Sequence, residues 1–300
     1  MPLKKAVIPA AGFGTRVYPA SRAVKKELFP VVGADGVCRA AIHYSVAELV
    51  AAGIEQVCVI VQPGDERDFR DYFSVPSPDL AAKLKPEHET VSDELARLGE
   101  SVTFAYQEEQ LGYGHAVYCA RDFVEGEPFL LLLGDHVFRA PGPTCSEQMI
   151  SVQARRGGSV TAVNRLGPDQ LPYFGAIAGR PVEGDPRVIR VSEFKEKPSV
   201  EYARRNLRVH GLPEDVFLCH FGMHSFSPRI FDMLERLMRE GRRERGEIQL
   251  TTAQHLLAQE EPYHAYEIEG ERFDLGLPRE YAETVWAMAK GEGSGARGLG

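Results

Sequence analysis

"VIPAAGFGTR", residues 7–16, runs from apolar residues into a glycine-punctuated turn that ends on an arginine. An apolar run followed by Gly12 and Gly14 reads as a buried strand turning tightly into a helix. That is how α/β proteins hold phosphates, with backbone N–H groups free to approach an oxyanion.

The rest of the chain keeps that rhythm. Residues 5–9, 56–61, 102–106 and 128–134 read as strands, with helices at 40–52, 65–73 and 113–122 between them. These strands are apolar throughout instead of alternating, which predicts a sheet covered on both faces. Residues 158–164, 174–179, 187–195 and 216–226 read as strands without long helices between them, a mixed or antiparallel extension. Helices return at 228–240 and 248–260, followed by a strand at 263–268 and a helix at 278–290. Residues 76–100 form a polar, partly helical insertion. The fold class expected is α/β, Rossmann-like, with a mixed, mostly parallel central sheet flanked by helices and a small β-rich extension. A single domain is expected over 1–290, followed by a flexible Gly-rich tail at 291–300.

Composition narrows the function. Of 300 residues, 43% are hydrophobic and 26% charged, as in ordinary globular chains, and the net charge of −8 argues against nucleic acid as a partner. No apolar stretch approaches the roughly 20 residues of a membrane helix, and the N-terminus is no signal peptide. Five cysteines (38, 58, 119, 145, 219) show no CxxC pair, which suits reduced thiols and a cytoplasmic protein.

Two phosphate motifs can be excluded. A dinucleotide fingerprint needs glycine where Val17 stands and an acidic residue closing the second strand, where Gln62 and Pro63 lie. A P-loop needs Gly-Lys-Ser/Thr, whereas Thr15-Arg16 follows Gly14. What remains is GxGTR followed by Pro19, Ser21 and Lys26, in which Arg16 and Lys26 add full charges to the loop.

That longer pattern resembles the N-terminal signature of the sugar-nucleotide pyrophosphorylases, the nucleoside triphosphate:sugar-1-phosphate nucleotidyltransferases. The resemblance covers about residues 4–290, and further blocks follow in the family's order. It implies that Ala10, Ala11, Gly12, Gly14, Thr15 and Arg16 hold a triphosphate and that Arg16 and Lys26 are catalytic. The family usually has proline before that lysine, where this chain reads Val24-Lys25-Lys26. Register with Glu27 and Pro30 favours Lys26 over Lys25. "YQEEQLGYGHAV" (106–117) implies Gln107 and Gly112 as the base and ribose contacts. "LLLLGDHVF" (130–138) implies Asp135 as a Mg²⁺ ligand, and "FDLGLPREY" (273–281) implies Asp274 as the second.

For the sugar phosphate, "YFGAIAG" (173–179) implies Gly175, "FKEKPS" (194–199) implies Glu196 and Lys197, and "FGMHSFSP" (221–228) implies Gly222. Lys197 counts among the catalytic residues as well. "GEIQLTTA" (246–253) matches another family block, with Thr252 in place of the usual aspartate. His115 is read as a packing or capping residue. His220 and His224 lie in a strand-like run without an HExxH glutamate and are read as structural.

Residues 1–150 would thus be the nucleotide-binding half and 151–290 the sugar-phosphate half. The implied reaction is Mg²⁺-dependent transfer of a uridylyl group from UTP to glucose 1-phosphate. Gln107 and the 76–100 insertion favour that pair within the family. The alternatives are another triphosphate, such as dTTP, or another sugar 1-phosphate, and a non-catalytic regulatory subunit on the same fold. By analogy with the family the chain would form a homo-oligomer, a dimer or a tetramer.

Overall fold

The computed structural model describes residues 3–291, so the expected tail lies, apart from Gly291, outside the described residues. A nine-stranded sheet forms the centre. Its order across the sheet is Val102–Tyr106, Gln56–Val61, Lys5–Pro9, Phe129–Leu132, Phe217–Phe226, Ser159–Leu166, Tyr263–Glu267, Asp185–Lys195 and Gly175–Val182. The first four strands run parallel. From Phe129–Leu132 onward every adjacent pairing is antiparallel except that of Tyr263–Glu267 with Ser159–Leu166.

The uniformly apolar strands have the expected cause. Along Lys5–Pro9, Val7 joins the core on one face while Ala6 and Ile8 join the core on the other. Leu131 is likewise opposed to Leu130 and Leu132. One face is covered by Tyr113–Tyr118, Ile230–Arg239 and Leu250–Glu260; the other by Ala41–Ala51, Glu66–Tyr72, Pro86–Gly99 and Cys145–Arg156. Ile230–Arg239 buries Ile230, Phe231, Met233, Leu234 and Leu237, the stripe of an amphipathic helix on a sheet.

Two features differ from the expectation. The loop after Lys5–Pro9 does not open an α-helix. It continues as three single 3₁₀ turns, Thr15–Val17, Ala20–Arg22 and Lys26–Leu28. Pro19 removes an N–H and drives Tyr18 out of the helical region, so no helix dipole accumulates behind the glycines. The second feature is a separate two-stranded pair, His136–Arg139 with Glu271–Asp274, which places Asp274 opposite His136. Val137 and Phe273 face each other there, in a small core with Val31, Ala41 and Leu275. The Leu275 amide donates to the Asp135 carbonyl at 2.9 Å and extends the pairing to the next residue.

The segment that follows Val102–Tyr106 and the segment that precedes Leu250–Glu260 are also joined through the backbone. The Ile248 amide donates to Leu111 O and the Gly114 amide to Ile248 O, both at 2.8 Å. Phe273→Ala should empty the centre of the small core. We expect a loss of about 3–5 kcal/mol in urea unfolding, far more than for an exposed position on the same strand.

Candidate active site

The parallel strands Lys5–Pro9 and Phe129–Leu132 both end at one cleft, the usual place for a site in an open α/β sheet. Its cavity volume is about 450 Å³. Arg16, Lys26, Asp135 and Asp274 line it together with Gly175, Glu196, Lys197 and Gly222. Side chains spread over most of the sequence therefore share one cavity.

Lys26 enters from the third 3₁₀ turn, and its Nζ meets Asp135 Oδ2 at 2.5 Å. Lys25 points elsewhere, to Asp65 at 2.5 Å, so the register that favours Lys26 is the one the fold adopts. Asp274 accepts from the Gly276 amide at 2.7 Å and from Arg272 at 2.9 Å, and its Oδ2 lies 3.3 Å from His136 Nε2. Asp135, Asp274 and Arg16 converge on Gly276. A Cβ built there would lie 2.9 Å from Asp135 Oδ2, 2.9 Å from Asp274 Oδ1 and 3.0 Å from an Arg16 guanidinium nitrogen.

Burial opposes the charge on these groups, but their neighbours outweigh it. Lys26 and His136 hold the Asp135 carboxyl below its ordinary range. His136, Arg272 and the Gly276 amide hold Asp274 well below it. Asp135 and Glu27 keep Lys26 above its usual value despite burial. Glu27 behaves in the opposite way. It is buried, its Oε2 has no partner among the described residues, and desolvation raises it to about 7 although Lys26 pulls it down.

Gly175 is needed for close approach. A Cβ there would lie 2.1 Å from His220 Nε2 and 3.0 Å from Glu196 Oε2. Glu196 is oriented by Thr251, whose hydroxyl donates to Oε2 at 2.7 Å. Thr252, the departure in that block, donates instead to Glu244 at 3.1 Å. Lys197 has φ of +41° directly before Pro198, a strained conformation that non-glycine residues rarely adopt. Gly222 packs on Leu133, whose amide donates to the Gly222 carbonyl at 3.0 Å.

The proposed nucleotide contacts Ala10, Ala11, Gly12, Gly14, Thr15, Gln107 and Gly112 are not among the residues that line this cavity. Ala10 and Ala11 are buried, with Ala10 N donating to Ile60 O and Gln62 Nε2 donating to Ala11 O, both at 2.7 Å. Gly12 is open on the side a Cβ would occupy, and Gly14 sits at φ +64° with Ser21 2.9 Å from that position. Thr15 begins the first 3₁₀ turn. Gln107 and Gly112 are brought together, since the Gln107 amide donates to Gly112 O at 3.1 Å; the same amide contacts His115 Nδ1 at 3.1 Å. Glu247, which lines the cavity, lies against Gly112.

Sequence reasoning missed Tyr113, His220 and Gln254, all of which line the cleft. Nothing in a lone tyrosine, histidine or glutamine inside an apolar run marks it as facing a cavity.

The family model described as nucleotidyl transferase matches residues 5–290. UTP–glucose-1-phosphate uridylyltransferase 1 of Staphylococcus saprophyticus is 36% identical over 294 residues, covering 96% of this chain and 93% of its own. The UTP–glucose-1-phosphate uridylyltransferase of Bacillus subtilis is 34% identical over 290 residues, covering 96% and 91%. Among solved structures, a UDP-glucose pyrophosphorylase complexed with UDP-glucose superposes with a TM-score of 0.79 at 25% identity, over 97% of this chain and all of that one. A UTP-bound UGPase from Acinetobacter baumannii gives 0.76 at 29% identity, over 95% and 92%.

Glu27 generates a pH prediction. Its folded value of about 7 lies above its unfolded value of about 4.5, so the folded state holds the proton more tightly. Stability from this group is complete at acid pH and is lost as pH rises through 7. Glu27→Gln should therefore gain on the wild type between pH 5 and pH 8, by on the order of 3 kcal/mol in urea unfolding. Parallel pH profiles would refute it.

Proposed function

The chain belongs to the nucleotidyl transferase family, and from that premise and the chemistry of the cleft we propose that it transfers the uridylyl group of UTP to glucose 1-phosphate, giving UDP-glucose and pyrophosphate. The observation that carries the reading is one cavity that brings together the cations Arg16 and Lys26, the carboxylates Asp135 and Asp274, and Glu196 with Lys197.

In this reading a phosphate oxygen of glucose 1-phosphate attacks the α-phosphorus of UTP. A new P–O bond forms, the α–β P–O bond breaks, and pyrophosphate leaves with its electrons. The attacking phosphate is already anionic at pH 7, so no protein nucleophile or general base is needed. The protein's work is alignment and charge neutralisation. The Ala10–Thr15 loop and Arg16 take the triphosphate. Lys26 neutralises the α-phosphate, and Lys197 positions the incoming phosphate. Gln107 and Gly112 take the uracil and ribose. Gly175, Glu196 and Gly222 take the sugar. The nucleotide contacts belong to about residues 1–150, and the sugar-phosphate contacts to 151–290.

The donor set fits Mg²⁺, which is held through one or two carboxylates plus substrate phosphates and does not need an all-protein cage. Asp135 and Asp274 would hold it: both are kept ionised, and one carboxylate oxygen of each lies against the same point beside Gly276. When bound, the ion supplies neutralisation of charge on the phosphate oxygens.

Cys38, Cys58, Cys119, Cys145 and Cys219 are free thiols, which suits the cytoplasm, and no helix among the described residues is long and apolar enough to cross a membrane. Assembly as a dimer or tetramer follows from the family alone, and light scattering decides it.

Pyrophosphate release with glucose 1-phosphate and UTP, dTTP, CTP, ATP or GTP tests the reading. We expect UTP to be strongly preferred and EDTA to abolish turnover; preference for another triphosphate would overturn the role given to Gln107. Lys26→Ala and Asp135→Ala should each lower kcat about 10²–10³-fold. Near-normal turnover would remove that residue from the mechanism.

A further inference from the structure

Four residues that line the cleft carry a buried polar atom with no partner among the described residues: His136 Nδ1, beside the carboxylate pair, and, away from it, the Tyr113 hydroxyl, His220 Nε2 and Gln254 Oε1. His220 is 8% exposed and Gln254 is fully buried, and the hydroxyl of Tyr113 is sealed as well. An unsatisfied buried polar atom costs free energy, and native proteins keep few. The last three share a single explanation, a ligand that satisfies them together.

The chemistry of the three atoms selects the ligand. None is cationic, so they do not form a phosphate site. Burial holds His220 neutral, against the pull of Glu196, so Nε2 either donates or accepts. The Tyr113 hydroxyl does both, and Gln254 Oε1 only accepts. Their complement is a compact frame bearing several hydroxyls, each a donor and an acceptor, as in a pyranose.

Their placement agrees with that choice. His220 Nε2 and Glu196 Oε2 meet over the bare Cα of Gly175. Tyr113 lies within electrostatic reach of both Asp135 and Glu196. Gln254 is held by its amide nitrogen, 2.9 Å from the Tyr263 hydroxyl and 3.1 Å from His224 Nδ1, which lies 2.7 Å from Thr161 Oγ1. Its oxygen is thus presented to the cleft from a fixed network. Both histidines line the cavity, but the Nδ1 of His224 is engaged in that network whereas the Nε2 of His220 is left without a partner among the described residues.

We propose that Tyr113, His220 and Gln254 are specificity-determining residues that bind the hexose hydroxyls of the sugar 1-phosphate. The inference rests on the uridylyltransferase reading. Its test measures kcat and KM for glucose 1-phosphate and for monodeoxy analogues, each lacking one hydroxyl, in the wild type, Tyr113→Phe, His220→Leu and His220→Gln. Tyr113→Phe removes a single oxygen and is the decisive variant if His220→Leu fails to fold.

We expect Tyr113→Phe to lower kcat/KM for glucose 1-phosphate about tenfold or more, mainly through KM for the sugar, with KM for UTP unchanged. Against one deoxy analogue the variant and the wild type should be equal, because the interaction is missing from both. His220→Leu should behave likewise, and His220→Gln should recover part of the loss. Equal losses across all analogues would assign the residues a structural role, and no loss would mean that they bind only water; either overturns the proposal. A wild type silent with glucose 1-phosphate would overturn the parent reading, and this inference with it.

Discussion

The site depends on a pairing of only four residues with four. His136–Arg139 and Glu271–Asp274 lie in distant parts of the chain, and their ladder sets Asp274 beside Asp135 with no long loop to bridge. Val137 and Phe273 hold the pair by burial, while Arg272 and His136 hold the Asp274 carboxylate. Without this staple the two carboxylates would belong to separate parts of the molecule. Hydrophobic packing here sets an electrostatic geometry.

Within that geometry, charge is arranged locally and against the sign of the whole. The chain carries a net charge of −8, yet Arg16, Lys26, Lys197 and Arg245 all face the cleft. Lys26 lies between Asp135 and Glu27, so its ammonium is fixed before any anionic substrate arrives. Groups fixed in this way need little reorganisation when charge develops, which is how a partly dry site gains from electrostatics. Net charge describes solubility and long-range steering; it says little about a cavity lined by a few fixed ions.

The fold was legible in the sequence wherever burial imposed a pattern. The strand at Phe129–Leu132 needs apolar residues on both faces, and the helix at Ile230–Arg239 needs a stripe, so both show in the spacing. The His136–Arg139 and Glu271–Asp274 strands are too short to show a period, and their pairing is non-local. The helix at Cys145–Arg156 carried a readable signal that went unused: Thr144 and Glu147 form a capping box. The convergence of Lys26, Asp135 and Lys197 on one cavity followed from motif blocks and not from periodicity. Tyr113, His220 and Gln254 gave no sign, because whether a buried polar atom has a partner depends on atoms far away in sequence.

The backbone splice between Leu111–Gly114 and Ile248 has an evolutionary consequence. The turn beside Gln107 and the segment leading into Thr251 share hydrogen bonds that do not depend on side-chain identity. On the proposed division near residue 150, a nucleotide-binding half and a sugar-phosphate half would be exchanged between relatives as cassettes. Here the seam lies inside both, so a chimera joined near residue 150 would set one parent's turn against the other's segment. New donor and acceptor pairs should therefore arise by point changes along the cleft wall more readily than by shuffling halves.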